Sequence, residues 1–538
     1  MSDRLIHGSP ILQGNDTVPG CSVPAEVMNL VPTMLQKCTD FGLDYYAPIL
    51  EMLEYDHMSE IAAYGGFPVR YPHWRWGQEY EDIARGYEYG FSRIYEMVIN
   101  TKPYCYIYLL KSNDLIDHVT VIVHALGHSD FFKNNIHFQP TDGNMLNNLA
   151  NNGMRVRQYI RRWGRDVVTR FIDNVTKIST LIDPSSAWDH KKIKSPLKKD
   201  FRTSRFARRM NVERDYMDSF VNTDGWKKHE KKRIEDEDIA EQLDFFPTPE
   251  RDIFKWVKDN GNFKPWQQDI ISMLYDEAIY FSPQGATKML NEGWASTIDY
   301  KLIACEGLSA LGQKHPDMGI VHYAKHKMGV LGGQYSTNPY KFGFELLRDI
   351  EDRWNKGKFG PEWEECKDIR QKEKWDLKLG KGKEKIFEVR ELENDFTAIQ
   401  KYFTPELCEK LEFYETKWYP NGEKKIESRD FKSIKTKLLQ RYANRGLPDC
   451  RLVDPNHLNK GWILIQHYYN GLPLYKPYLK EVLPALNILL NTTIVLESKD
   501  DDGESIVFVC DGDDIGNVHQ IPKKDYVNKY IKEKAKKA

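Results

Sequence analysis

The chain has 538 residues, 41% of them hydrophobic and 12% aromatic, which is enough apolar material for more than one core. Its 77 Lys and Arg balance 79 Asp and Glu, so no global charge points to nucleic acid or a membrane surface. The start MSDRLIHGSP lacks a secretion signal, no stretch approaches a membrane span, and the 8 scattered Cys without a CxxC read as reduced packing residues, so a cytoplasmic protein of several domains is expected.

Residues 23 to 63 read as helix, with Pro24 near its start and apolar positions three and four apart through Val27, Leu30 and Met34. An aromatic loop punctuated by Gly and Pro, YGGFPVRYPHWRWGQEY, leads into a Tyr-rich helix from Glu79 to Tyr89. Tyr95 to Asn100 alternates as a short strand and turns through Asn100 to Pro103. Ser112 or Asn113 then caps a helix through HVTVIVHALGHSDFF. Its β-branched run favours strand by propensity, but its length, the missing turn residues and the Ala-Leu that follows favour helix. That helix carries Asp117, Val121, His124 and His128 on one face.

Two His four residues apart present both imidazoles to one cation, and they are ligand types of a zinc site. Two hydrogen-bonded histidines in a packed helix give the same spacing. In the helical zinc-protease signature the first His is followed by a Glu that serves as general base; here Ala125 stands there. His322 and His326 repeat the spacing. Asp117, two turns before His124, is a candidate to support the histidines, or else a partner of the helix dipole.

Between about 190 and 245 the composition shifts to charge blocks. HKKIKSPLKKDFRTSRFARRM sets nine Lys and Arg against Asp200 alone, a pattern of a solvated, flexible insertion or, more sharply, of an arm for phosphate or acidic lipid. Helical patterns resume at Phe263, and two helices are expected on either side of a break at Ser282-Pro283-Gln284-Gly285. The second places Glu292, Ser296 and Asp299 on one side, and Glu277 on the first is a carboxylate in an apolar setting. Glu277 fits either a proton-transfer group of raised pKa or a salt bridge to an Arg. From about 386 the pattern changes to a helix over 428 to 444, strands at CRLVD and GWILIQHYY, a helix over 475 to 490, and a hairpin of TIVLES and SIVFVCDG, before a basic tail. The expected fold is therefore mainly α with a mixed α+β character: a helical core over 1–385 carrying the zincin-like HxxxH helix, and a smaller α/β domain over 386–538.

Several segments in order, FPVRYPHWRWGQEY, YEMVINTKPYCYIYLL, HALGHSDFFKNN, AIYFSPQGATKMLNEGWAS and NPYKFGFELLRDIEDRW, resemble the SpoVR family. The likeness runs from Ala25 to Trp354 and continues through IESRDFKSIKTKLL and WILIQHYYNGLPLYKPYLKEVL, with 190–245 matching poorly. It implies a cytoplasmic protein linked to assembly of the spore cortex, a peptidoglycan layer, or to stress responses where no spores form. It also implies two partners, a serine protein kinase and a von Willebrand factor A-like protein. Asp299 stands where relatives often carry His, and Lys111 where many carry Glu. The segment NEGWAS further resembles that of aminopeptidase-like zinc enzymes, in which the Glu is the third ligand; only Glu292 carries over.

Two functions follow as expectations. One is a metal-dependent hydrolase acting on a cell-envelope precursor or a protein, with His124, His128 and Glu292 binding Zn²⁺ or another divalent metal and one position left open. Glu277 or Asp299 would replace the missing base, His326 would act as a further ligand or oxyanion donor, and His73, Trp74 and Glu96 would line the substrate pocket. The other is a non-catalytic scaffold docking the kinase or the von Willebrand-type partner, its histidines part of a buried polar network. Nucleic-acid binding by Lys191 to Arg209 is a weaker third.

Overall fold

The computed structural model describes residues 23–88, 96–188, 228, 249–305, 338–419, 423–500, 502–511 and 518–528. The Lys191–Arg209 stretch, His322, His326 and the last residues of the basic tail lie outside them. The chain is mainly helical with small sheets, the class its patterns indicate. Its contacts form two units, residues 1–172 with 276–447, and 173–275 with 448–538. No helix among the described residues is long and apolar enough to cross a membrane.

The first unit begins with α1 (Ala25–Phe41), β1 (Ala47–Leu53) and α2 (Tyr55–Ala63). The single helix expected over 23–63 is thus interrupted by a strand. Ala47 to Leu53 pairs in parallel with β3 (Tyr104–Leu110), whose other edge takes β2 (Glu96–Asn100) antiparallel. Helix α3 (Trp74–Glu88) starts five residues before the expected Glu79. Cys105, Ile107 and Leu109 of β3 join the core under α4 (Leu115–Asn134), whereas Tyr106, Tyr108 and Leu110 join a second core with Ile61, Met145 and Tyr280. A central strand covered on both faces has no polar side, which is why YCYIYLL shows no clean alternation of polarity.

Helix α4 is buried on nearly every side from His118 to Phe132. Packing all round overrides the strand propensity of VTVIV. α5 (Met145–Trp163) follows, then α6 (Arg165–Lys177), α7 (Pro265–Ala286) and α8 (Lys288–Asp299), with a π-helical turn over Tyr300–Cys305. The break expected at Ser282–Gly285 falls instead at Thr287. Pro283 sits inside α7 and removes one donor, but its carbonyl still accepts from Thr287 N–H at 3.0 Å.

Two close crossings and an end cap fix α8. A Cβ built on Gly127 of α4 would lie 2.9 Å from Ala295 Cα, and one on Gly293 would lie 2.3 Å from the carbonyl carbon of Gly343 in α9 (Pro339–Lys356). At its N-terminus, where Thr287 gives no side-chain cap, Asp395 accepts from Met289 N at 2.8 Å and Leu290 N at 2.9 Å. Burial pushes that carboxyl up to about 7, against the pull of the two backbone donors. Asp395 opens α11 (Asp395–Tyr402), after α10 (Gly382–Leu392); Ile386, Val389 and Ile399 share one core with α4 and α8. A hairpin of β4 (Glu415–Trp418) and β5 (Lys424–Ser428) precedes α12 (Phe431–Tyr442), the helix expected over 428–444.

The second unit holds a five-stranded sheet in the order β10 (His519–Pro522), β9 (Ser505–Cys510), β8 (Ile494–Lys499), β7 (Trp462–His467), β6 (Cys450–His457). Its neighbours are antiparallel except β7 and β8, which the helix α13 (Lys476–Leu490) links as a parallel pair. The basic tail read from the sequence is packed at its start: Tyr526 is 1% exposed and its hydroxyl meets His457 Nε2 at 3.0 Å.

Candidate metal centre

Helix α4 sets the His124 and His128 rings 4.7 Å apart between centroids, nearly perpendicular at 79°. Glu292 reaches between them from α8. Its Oε2 lies 3.4 Å from His128 Nε2 and 3.8 Å from His124 Nε2, and one ligand atom from each of the three residues falls within 4.8 Å of the others.

The far sides of both rings are tied to α8 as well. His124 Nδ1 donates to Asp299 Oδ2 at 2.8 Å, and His128 Nδ1 donates to Asn291 Oδ1 at 2.9 Å. With the proton held at Nδ1, each Nε2 turns a lone pair toward Glu292. Two imidazole lone pairs and a carboxylate oxygen are all electron-rich, and they face one another in a buried space. Glu292 Oε2 is buried and makes no hydrogen bond among the described residues. Burial alone pushes the Glu292 carboxyl up, yet positive charge on His128, and the close approach of both rings in protonated form, outweigh it and hold it well below the usual range. The arrangement needs positive charge at its centre, supplied by protons on the rings or by a cation.

The donor set fits a divalent ion. Ligand atoms about 2.1 Å from a tetrahedral ion stand about 3.4 Å apart, close to the two separations observed. Nδ1–H held by a carboxylate and by an amide oxygen is the support that ligating histidines carry.

A second polar layer locks the two helices behind this cluster. Asp130, two residues after His128, accepts from Asp44 N at 2.7 Å, Trp294 Nε1 at 2.9 Å and Arg390 Nη1 at 3.2 Å. Burial pushes its carboxyl up to about 6, partly countered by the charge of Arg390. Asp130 therefore ties α4 to α8 and α10 through one side chain.

Of the residues singled out from sequence, the fold brings together His124, His128, Glu292 and Asp299. The support for His124 comes from Asp299 across the helix pair, where Asp117 on the same helix had been a candidate. Glu277 is ion-paired with Arg70, so its salt-bridge alternative is the one observed. His73 accepts from Arg75 N at 3.3 Å and packs against Tyr71 and Trp74, and Trp74 is 58% exposed. Among the described residues these contacts of Glu277, His73 and Trp74 lie around Arg70–Trp76, where the loop enters α3, not at the three clustered ligands. Glu96 opens β2 opposite Leu109. Lys111 pairs with Glu54. Asn291, Asp130 and Asp395 were missed; Asn291 was signalled only by standing beside Glu292, and Asp130 by following His128 in HSDFF.

A family model described as SpoVR like protein matches residues 24–447. The chain is 28% identical over 325 residues to the "Uncharacterized protein YcgB" of Escherichia coli (strain K12), an alignment covering 58% of this chain and 60% of that relative. The chain thus spans about 60% of the length of that curated relative. No solved structure matches.

Proposed function

This chain belongs to the SpoVR-like family, and from that premise we propose that it is a divalent-metal protein, with zinc the first candidate, built as a metal-dependent hydrolase. The observation that carries the reading is the convergence of His124, His128 and Glu292 with both imidazoles held at Nδ1 by Asp299 and Asn291. Three protein ligands leave one position of a tetrahedral set for substrate, as in catalytic rather than structural sites. A divalent ion there supplies Lewis-acid polarisation of the bond to be hydrolysed.

The chain's own residues do the rest. Asp299 keeps the proton on Nδ1 of His124 and raises the basicity of its Nε2; Asn291 does the same for His128 with a neutral oxygen. Trp294, fully buried and bonded to Asp130, holds α8 against α4 and so fixes where Glu292 stands relative to the two histidines. Ala125 accepts no proton, and Glu277 is engaged by Arg70, so Asp299 is the second carboxylate of the site. The substrate class we assign is an amide or related bond of a cell-envelope precursor or a protein, in sporulation or a stress response.

The absent base at Ala125 favours one other reading, a scaffold that retains the metal for structure and docks a serine protein kinase or a von Willebrand factor A-like protein. Hydrolysis of peptidoglycan fragments and peptides by the full chain decides between them. Turnover that stops with chelator, returns with metal and is absent in Glu292→Gln supports the hydrolase. Metal-loaded protein without turnover on any of these substrates supports the scaffold.

A further inference from the structure

Arg70 lies in the loop between α2 and α3, three residues after Phe67, which packs on Tyr280 and Phe281 of α7. Phe67 belongs with the core on the face of the three-stranded sheet opposite α4. Arg70 is 5% exposed. Its guanidinium stands 4.5 Å over the ring of Trp76 and 5.5 Å from that of Tyr71, and Nη2 donates to Glu277. α5 closes over its backbone: a Cβ on Gly153 would lie 3.2 Å from the Arg70 carbonyl oxygen and 3.5 Å from Nη1 of a second arginine, Arg157.

A guanidinium carries five N–H donors and stays charged at every accessible pH. Glu277 balances the charge but occupies one nitrogen. Nε and Nη1 of Arg70 are both buried and make no hydrogen bond among the described residues. Buried donors without acceptors are costly and uncommon, and these belong to a group already held against two aromatic rings. Tyr71 beside it is buried, and burial and the charge of Glu277 hold its phenol above the ordinary range, so it keeps its proton. The surroundings therefore present donors and aromatic faces beside a fixed positive group.

We propose that Arg70 is the anchor of a second ligand site, binding a small oxyanion, carboxylate or phosphate, through Nε and Nη1 beside the Trp76 and Tyr71 rings. Planar guanidinium donors suit either oxyanion. This site uses none of the candidate metal ligands, so it stands whether or not the metal reading holds.

The test is titration of the full-length protein with inorganic phosphate and, separately, acetate at constant ionic strength, read by calorimetry, with metal content measured in parallel. The expected result is saturable binding of at least one of them, phosphate and acetate arms telling the two chemistries apart. Arg70→Lys, which keeps the charge but loses the fork of donors, abolishes it without changing metal content. Glu277→Gln, which withdraws the competing carboxylate, tightens it by roughly tenfold, and this variant decides the matter if Arg70→Lys fails to fold. No saturable binding of either anion, or binding indifferent to both substitutions, overturns the proposal and leaves the two donors to buried water.

Discussion

Gly293→Ala probes how tightly α8 is held. A Cβ at that position would lie 2.3 Å from the Gly343 carbonyl carbon, 2.5 Å from Gly343 Cα and 2.7 Å from Phe344 N. All three are backbone atoms, so no side chain can swing aside. Reaching ordinary carbon contact at about 3.5 Å requires α8 and α9 to part by roughly 1 Å. Retreat the other way is blocked, because Gly127 already brings α4 against Ala295. Overpacking of this kind costs about 1–3 kcal/mol, offset by about 1 kcal/mol of helix propensity gained on replacing Gly with Ala. The net expectation is a loss of up to about 2 kcal/mol. Glu292 is the adjacent residue, and its 3.4 Å spacing from His128 Nε2 does not survive such a shift, so metal affinity falls by on the order of tenfold or more. Urea unfolding followed by Trp fluorescence, with metal retention measured on the same samples, reads both effects. Gly77→Ala is the control: it lies in α3 with nothing within 4 Å of its built Cβ and is expected to be neutral or slightly stabilising. A Gly293→Ala protein with the wild-type midpoint and wild-type metal retention would refute the reasoning.

Asp299→Asn keeps an acceptor for His124 but loses the charge, and metal affinity is expected to drop by about 10–100-fold while the unfolding midpoint barely moves; unchanged affinity in a metal titration would remove Asp299 from the support of the site. Asp395 binds its proton more tightly when folded, at about 7 against an ordinary 3.8, so its contribution to stability is full below 3.8 and is lost as pH rises through 7. The stability of Asp395→Asn relative to wild type should therefore rise with pH by up to about 1.4 kcal/mol per unit over that interval and level off above it; a difference independent of pH in denaturant titrations would contradict the burial of that carboxyl. Burial pushes the thiols of Cys38 and Cys105 up to about 12. Iodoacetamide on the native protein should modify the partly exposed Cys366 well before either, and equal labelling rates by mass spectrometry would show the core to be open.

The helix bearing the histidines was legible because its length and its Ala-Leu step outweighed the β-branched run, and Glu292 because NEGWAS is distinctive. What the sequence hid was non-local. Strand β1 escaped notice since Ile49, Leu50, Met52 and Leu53 fit a helical period as well as a buried strand, and its partner begins at Tyr104. Asp117 was the visible support for His124 because it shares a helix with it; Asp299 becomes visible only when α8 is laid against α4. The cap on α8 comes from Asp395, 105 positions beyond Leu290, which no local capping pattern could reveal. Tyr526 looked like part of a basic tail because the residues around it are charged, and its burial comes from Val495, Val507 and Val509 on distant strands, with His457 meeting its hydroxyl.

Elemental analysis of untagged protein purified without chelator, beside a His124→Ala/His128→Ala double variant, tests the metal centre most directly. Near-stoichiometric zinc, manganese or iron in the wild type, gone from a variant that remains folded, is the predicted result. A well-folded wild type that carries no divalent metal and takes up none when supplied with it would contradict the account, and would leave the two histidines and Glu292 as an imidazolium–carboxylate cluster.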